Sequence, residues 1–236
     1  MMPSMKRLMA IFQKDIKDLS KNMFVSTSVL MPVIFAAVYG GMEVVTLEIH
    51  FLSINIAFVM VAAYIQCALI AEEKEKNTLR GLMLSPATIP EILAGKSLVS
   101  FILTIITIVL SAILTGYEPA NFVLIAIAII ISTLFYLGLG TLLGLLTKSV
   151  VEASVVILPF FFIFGFSIFI EFLIEKNPVF AIAEYMPNIQ LMEFAAKVQE
   201  GLGFMDVWFH LMIMVAWTVG IAILAVITFK KREMDY

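Results

Sequence analysis

The chain has 236 residues, 62% hydrophobic and 14% charged, with a formal net charge of −3 and a mean hydropathy of +1.06. No soluble domain of this size hides that much apolar surface, so the composition excludes a soluble globular protein and points to an integral membrane one. The charge balance carries no footprint for nucleic acid, and the single cysteine, Cys67, excludes an internal disulfide. At about 20 apolar residues per crossing, the length leaves room for about six spanning helices.

Residues 5–19 come first. Met5, Leu8, Met9, Phe12, Ile16 and Leu19 share one helical face, and Lys6, Arg7, Gln13, Lys14 and Lys17 occupy the other. This pattern predicts a basic amphipathic helix lying in the membrane interface rather than crossing it. A first span is expected at about 23–42, with a kink near Ser28 to Pro32, because Pro32 removes a backbone donor. The second, at about 51–71, holds Asn55, Gln66 and Cys67. Asn and Gln in hydrocarbon usually bond across a helix interface; contact with a transported substrate is the alternative use of Asn55 and Gln66.

The longest hydrophilic interruption on one side of the membrane then follows, over residues 72–96. It opens with five consecutive charges from Glu72 to Lys76, which hydrocarbon would not accept cheaply. Leu79, Leu82, Met83 and Leu84 come next, interleaved with Arg80 and Gly81, and Ser85, Pro86 and Pro90 punctuate the stretch before Gly95 and Lys96. Apolar residues at helical spacing between charged ends suit docking to a partner in water.

A third span is expected at about 97–115 and a fourth at about 121–146, where Gly140 and Gly144 form a small-xxx-small face suited to close packing within the chain. Lys148 and Glu152 mark a polar turn. The fifth span, about 153–174, contains Pro159 and a run of phenylalanines that includes Phe162 and Phe166. That run reads as packing surface, or as the lining of a path for an amphipathic substrate. Residues 175–206 carry too many charges and prolines to cross. Within them Asn188 reads as an N-cap and Gly201 as the residue after a helix end. Leu191, Phe194, Ala195 and Val198 share a face, with Glu193 and Lys197 paired on the other. The last span, about 207–229, stops at Lys230, Lys231 and Arg232.

Thirteen of the fifteen lysines and arginines then fall on one side of the membrane, and only Lys176 and Lys197 on the other. The positive side is cytoplasmic by the usual bias, which puts both termini on the cytoplasmic side of a cell membrane. Catalytic constellations are sparse. His50 and His210 belong to no HExxH pattern, and Pro90 replaces the first glycine that a phosphate-binding loop ending in Gly95-Lys96-Ser97 would need. The chain is therefore expected to be no enzyme and to bind no nucleotide, cofactor or metal.

Taken in order, Glu72, Glu73 and Glu75, then Asn77-Thr78-Leu79, Leu82, Leu84, Ser85-Pro86, Glu91-Ile92-Leu93 and Gly95-Lys96 resemble the first cytoplasmic loop of the ABC-2 type permeases. Asn77 stands where that family usually has Gly. The resemblance covers nearly the whole chain. It implies an all-helical integral membrane protein with six transmembrane helices, residues 5–19 as an interfacial connecting helix, 72–96 as a coupling loop, and 175–206 as re-entrant helices outside the membrane. It also implies a cytoplasmic ATPase partner holding ATP and Mg, and a second permease copy. Glu72, Glu75, Thr78, Leu79, Leu82, Leu84, Ser85 and Pro86 would meet that ATPase. Export of a drug, antimicrobial peptide or lipid-like compound is the expected activity. A secondary carrier or channel that needs no ATPase is the alternative, and a membrane-embedded enzyme a more distant one.

Overall fold

The computed structural model describes residue 9 and residues 12–17, 27–76, 89–166 and 178–234. The expectations placed on Thr78, Leu79, Leu82, Leu84, Ser85 and Pro86 lie outside these described residues. Among the described residues seven main helices follow one another: α1 (Leu30–Gly40), α2 (Leu47–Glu75), α3 (Ile89–Thr115), α4 (Phe122–Leu146), α5 (Val150–Gly165), α6 (Pro187–Gln199) and α7 (Phe204–Met234). A 3₁₀ helix, Pro178–Tyr185, precedes α6, and residues 12–17 are helical. No strand occurs among the described residues. By length and composition, α2, α3, α4 and α7 can each cross a membrane, whereas α1 and α5 are shorter apolar helices.

Close approach makes α2 the centre of the bundle. Ala57, Ala62, Ala63, Ala68 and Ala71 leave room for its neighbours, and 94% of its most apolar stretch is buried, against 17% for α7. The expected glycine seam on α4 lies directly on it. A Cβ at Gly140 would stand 2.2 Å from the carbonyl oxygen of Ala63, and one at Gly144 would stand 2.8 Å from that of Cys67. Small residues four apart on both helices thus let two backbones touch within one chain. At the same level α2 widens into a π-helical segment, Phe58–Ala63, and the Phe58 ring stacks on Tyr136 at 5.0 Å and 5°. A change of helical pitch there alters which residues face α4.

Backbone chemistry sets the ends. Gly116 (φ 69°) and Gly201 (φ 86°) end α3 and α6 in the left-handed conformation. At Gly201 the two following amides close back on the helix, Gly201 N to Val198 O (3.0 Å) and Leu202 N to Lys197 O (3.1 Å), the paired bonding of a Schellman end. The start of α6 differs from expectation. Pro187 occupies the first helical position after Met186, and Asn188 lies inside the helix with its amide 3.4 Å from the Ile163 carbonyl. Proline's fixed φ suits that first position and needs no side-chain cap. A turn at Ser28 and Val29 precedes α1, which runs regularly from Leu30, so Pro32 sits in its first turn, where a missing N–H costs little.

Helices α1 to α5 run in alternating directions between two ends, α7 returns in the direction of α4, and α6 lies at the second end. Residues 14–15, Glu73 to Glu75, Lys96 and Leu145 to Val150 meet at one, hereafter the basic end. His50 with Tyr117, and Gln199 with the Glu118 carbonyl, meet at the other.

Candidate functional site

The basic end is where helix ends are bonded to one another. Helix α2 runs one turn past its apolar stretch, so the five charges from Glu72 to Lys76 are mostly helical and point in different directions. Glu72 pairs with Lys76 on the open side. Lys74 donates to the Leu145 carbonyl (2.7 Å) and to that of Thr147, the free carbonyls at the end of α4, where a cation also meets the negative end of the helix dipole. The Glu75 carboxylate accepts from the Val150 amide (3.0 Å), the first N–H of α5, and Ser149 caps the same helix through the Glu152 amide (3.2 Å). Two neighbouring residues of α2 thereby fix the turn between α4 and α5.

Glu73 points the other way, into a sealed cluster. Its carboxylate lies 3.0 Å from the Lys96 ammonium, and Lys96 lies 3.4 Å from Asp15 on the 12–17 helix. The side chains of Lys96, Asp15 and Glu73 are 1%, 2% and 5% exposed. Lys14 closes the cluster from the solvent side, pairing with the same oxygen of Glu73. Burial pushes the Asp15 carboxyl up to about 6; Lys96 and Lys14 pull it down and Glu73 adds to the rise. Desolvation exceeds the attraction of the two cations because the nearer one is shared with Glu73.

Two helical turns deeper along α2, Gln66 ties three helices together. Its amide nitrogen donates to Ser97 and Thr141, and its oxygen accepts from Ser100, each at 3.1 Å. Gln66 is thus a fully buried node joining α2, α3 and α4. Asn55 lies eleven residues back along α2, about 16 Å away, and is also fully buried. Phe161–Gly165 packs beside Leu47–Ala57, at the level of Asn55. There Phe162 is exposed and stacks on Phe166 at 6.2 Å. The four residues expected along a substrate path therefore occupy two separated levels.

At the opposite end α6 packs on α7 through a second polar cluster. Gln190 donates to the Glu184 carbonyl (2.8 Å), which turns its oxygen toward His210 Nδ1 (2.8 Å); Lys197 stands 2.9 Å from Nε2. The ring consequently donates through Nδ1–H and accepts from the ammonium, the neutral tautomer. Lys197 is thus engaged by His210, and no ion pair to Glu193 forms, contrary to the expected i, i+4 contact. The buried face of α6 is the anticipated one, with Leu191, Phe194, Ala195 and Val198 inside.

Four acidic residues take places that the sequence pattern alone did not show. Glu72 and Glu75, the described residues among those expected to meet an ATPase, bond within the chain to Lys76 and to the Val150 amide, and Glu75 stays exposed. Glu73, part of the same acidic run, enters the buried cluster. Asp15, which the amphipathic pattern assigned to neither face, is buried while Ile16 is exposed. The available signal was an acid set between Lys14 and Lys17. No group of three or more His, Cys, Asp or Glu side chains suited to a metal occurs among the described residues.

Apolar helices bonded at both ends, with polar nodes inside, define a multi-pass helical membrane protein. The ABC-2 family transporter protein profile matches residues 13–227, and the chain belongs to that family. It is accordingly a membrane permease of an ABC transporter in the general sense, a class that works in the lipid bilayer with an ATPase. Comparison with curated proteins gives no match.

Proposed function

We propose that the chain is the permease subunit of an ATP-driven exporter, crossing the cell membrane six times with the basic end and both termini in the cytoplasm. A separate ATPase would hold ATP and Mg beneath that end, and a second permease copy would complete the pathway. The observation that carries this reading is the bonding of the 12–17 helix and the ends of α2, α3, α4 and α5 into one block at the basic end. Force applied at the segment between α2 and α3 would reach several spans at once. Within the described α2, α3, α4 and α7, charged residues lie near the ends. That leaves little for ion-coupled transport to use, and favours an ATP-driven permease over a secondary carrier. The cargo would be a drug, antimicrobial peptide or lipid-like compound, with Asn55, Gln66, Phe162 and Phe166 as candidate contacts.

The test is the double substitution Leu82→Asp with Leu84→Asp, which places two charges where an apolar face would dock. Each buried leucine is worth about 1.5–3 kcal/mol, so the variant is expected to insert and dimerise yet fail to co-purify with its ATPase. Undiminished ATPase binding and transport would reject a docking role for that segment.

A further inference from the structure

The buried cluster at the basic end has an arrangement that stability alone does not call for. Apolar side chains of similar volume usually stabilise a sealed site as well as an ion cluster or better. Here Lys96, Glu73 and Asp15 are nonetheless almost wholly enclosed, and they come from three separate segments: α3, α2 and the 12–17 helix. The pairing is also uneven. One oxygen of Glu73 receives both Lys96 and Lys14, whereas Asp15 has a single, longer contact to Lys96 at 3.4 Å, and its Oδ2 is buried without a hydrogen-bond partner. The four charges form a chain, Lys14 to Glu73 to Lys96 to Asp15. Lys96 can therefore move from Glu73 to Asp15 while Lys14 keeps Glu73 paired, and no carboxylate is left without a cation.

Glu73 lies in the last turn of α2, and Lys96 two turns into α3, so their ion pair bridges the two helices on either side of the segment that connects them. We propose that Lys96 is a positioning residue for transport. By exchanging between Glu73 and Asp15 it carries movement of the α2 and α3 ends to the 12–17 helix. This inference rests on the permease reading and adds to it a two-position element of the kind that coupling requires.

The experiment uses the full chain in its complex with the co-purified ATPase, in nanodiscs, with Cys67→Ser and spin labels at Gln13 and Lys148. Both positions are exposed, one on the 12–17 helix and one on the turn after α4. Trapping with ATP and vanadate is expected to change the label distance in the parent protein. Asp15→Asn removes the second charged partner while keeping the side-chain shape. It should retain ATPase binding within about twofold, well inside the tenfold step that about 1.4 kcal/mol represents, yet show no distance change. Lys96→Met should lose the change as well. Lys96→Arg, which keeps the cation and both carboxylate partners, should restore at least part of it relative to Lys96→Met, which a purely packing role would not allow.

A parent-like distance change in Asp15→Asn or Lys96→Met overturns the inference and leaves the permease reading standing. Loss of the protein from the membrane in Lys96→Met, with parent-like movement in Asp15→Asn, marks Lys96 as structural and also overturns it. Absence of any ATPase from the parent preparation overturns both.

Discussion

Replacing Gly140 with alanine tests the packing on which the bundle depends. The added Cβ would lie 2.2 Å from the Ala63 carbonyl oxygen, where ordinary contact is 3.4–4 Å. The obstructing atom belongs to the backbone, so no rotamer change or trimmed side chain opposite can relieve it. Helices α2 and α4 must separate by more than about 1 Å. A gap of 0.5–1 Å already forfeits about a quarter to a half of each dispersion contact along a seam, and overpacking of this kind costs about 1–3 kcal/mol or more. Alanine's better helix propensity returns at most about 1 kcal/mol. Gly144→Ala meets both the Cys67 carbonyl oxygen and Ile70 Cβ at 2.8 Å and should be milder. Gly220→Ala meets nothing within 4 Å and should be neutral or slightly stabilising. The assay is the temperature at which half of each detergent-solubilised protein disappears from a size-exclusion peak after a fixed heating time, compared as a rate because unfolding of such proteins is commonly irreversible. The expected order is Gly220→Ala at or above the parent, then Gly144→Ala, then Gly140→Ala. A Gly140→Ala protein as robust as Gly220→Ala would refute the seam.

Gln66→Leu should lower stability by about 1–2 kcal/mol, the loss of three interhelical bonds at the modest values these have in membranes; unchanged thermal stability with altered cargo selectivity would instead assign Gln66 to the path. Asp15 is held at about 6 in the folded protein against an ordinary 3.8, so its contribution is fully present below pH 4 and is lost as pH rises through 6, by at most about 3 kcal/mol. Asp15→Asn should therefore match the parent near pH 4 and exceed it in thermal stability at pH 7, and equal pH profiles for the two proteins would contradict the burial argument. Single cysteines at Glu48, Glu118 and Gly203, in a Cys67→Ser background, should react with an impermeant thiol reagent on intact cells, and cysteines at Lys76 and Lys148 only after permeabilisation; labelling of Lys76 from outside would reverse the proposed orientation.

The sequence alone determined the class of this protein, because hydrocarbon imposes a one-dimensional rule. Apolar stretches of spanning length must alternate with charged interruptions, and both are visible along the chain. The glycine seam at Gly140 and Gly144 and the helix end at Gly201 were legible for a similar reason, since a missing Cβ has few uses inside or just after a helix. Helix limits were less so: α2 continues to Glu75 and α3 begins at Ile89, because charges at a membrane surface need not end a helix.

Tertiary structure decided which polar residue meets which. Lys96 beside Gly95 reads as a solvated residue at the edge of a span, yet it is buried because Asp15, 81 positions away, and Glu73 arrive from two other segments. Among Glu72, Glu73 and Glu75, only helix rotation against the neighbours selects the one that turns inward. Gln66 likewise finds its partners on α3 and α4. A helix that is apolar on every side, as α2 is, carries no periodic signal of its own orientation. Its rotation is set by the backbones that touch it, at Gly140, Gly144 and the widened turn at Phe58–Ala63, and by nothing readable along α2 alone.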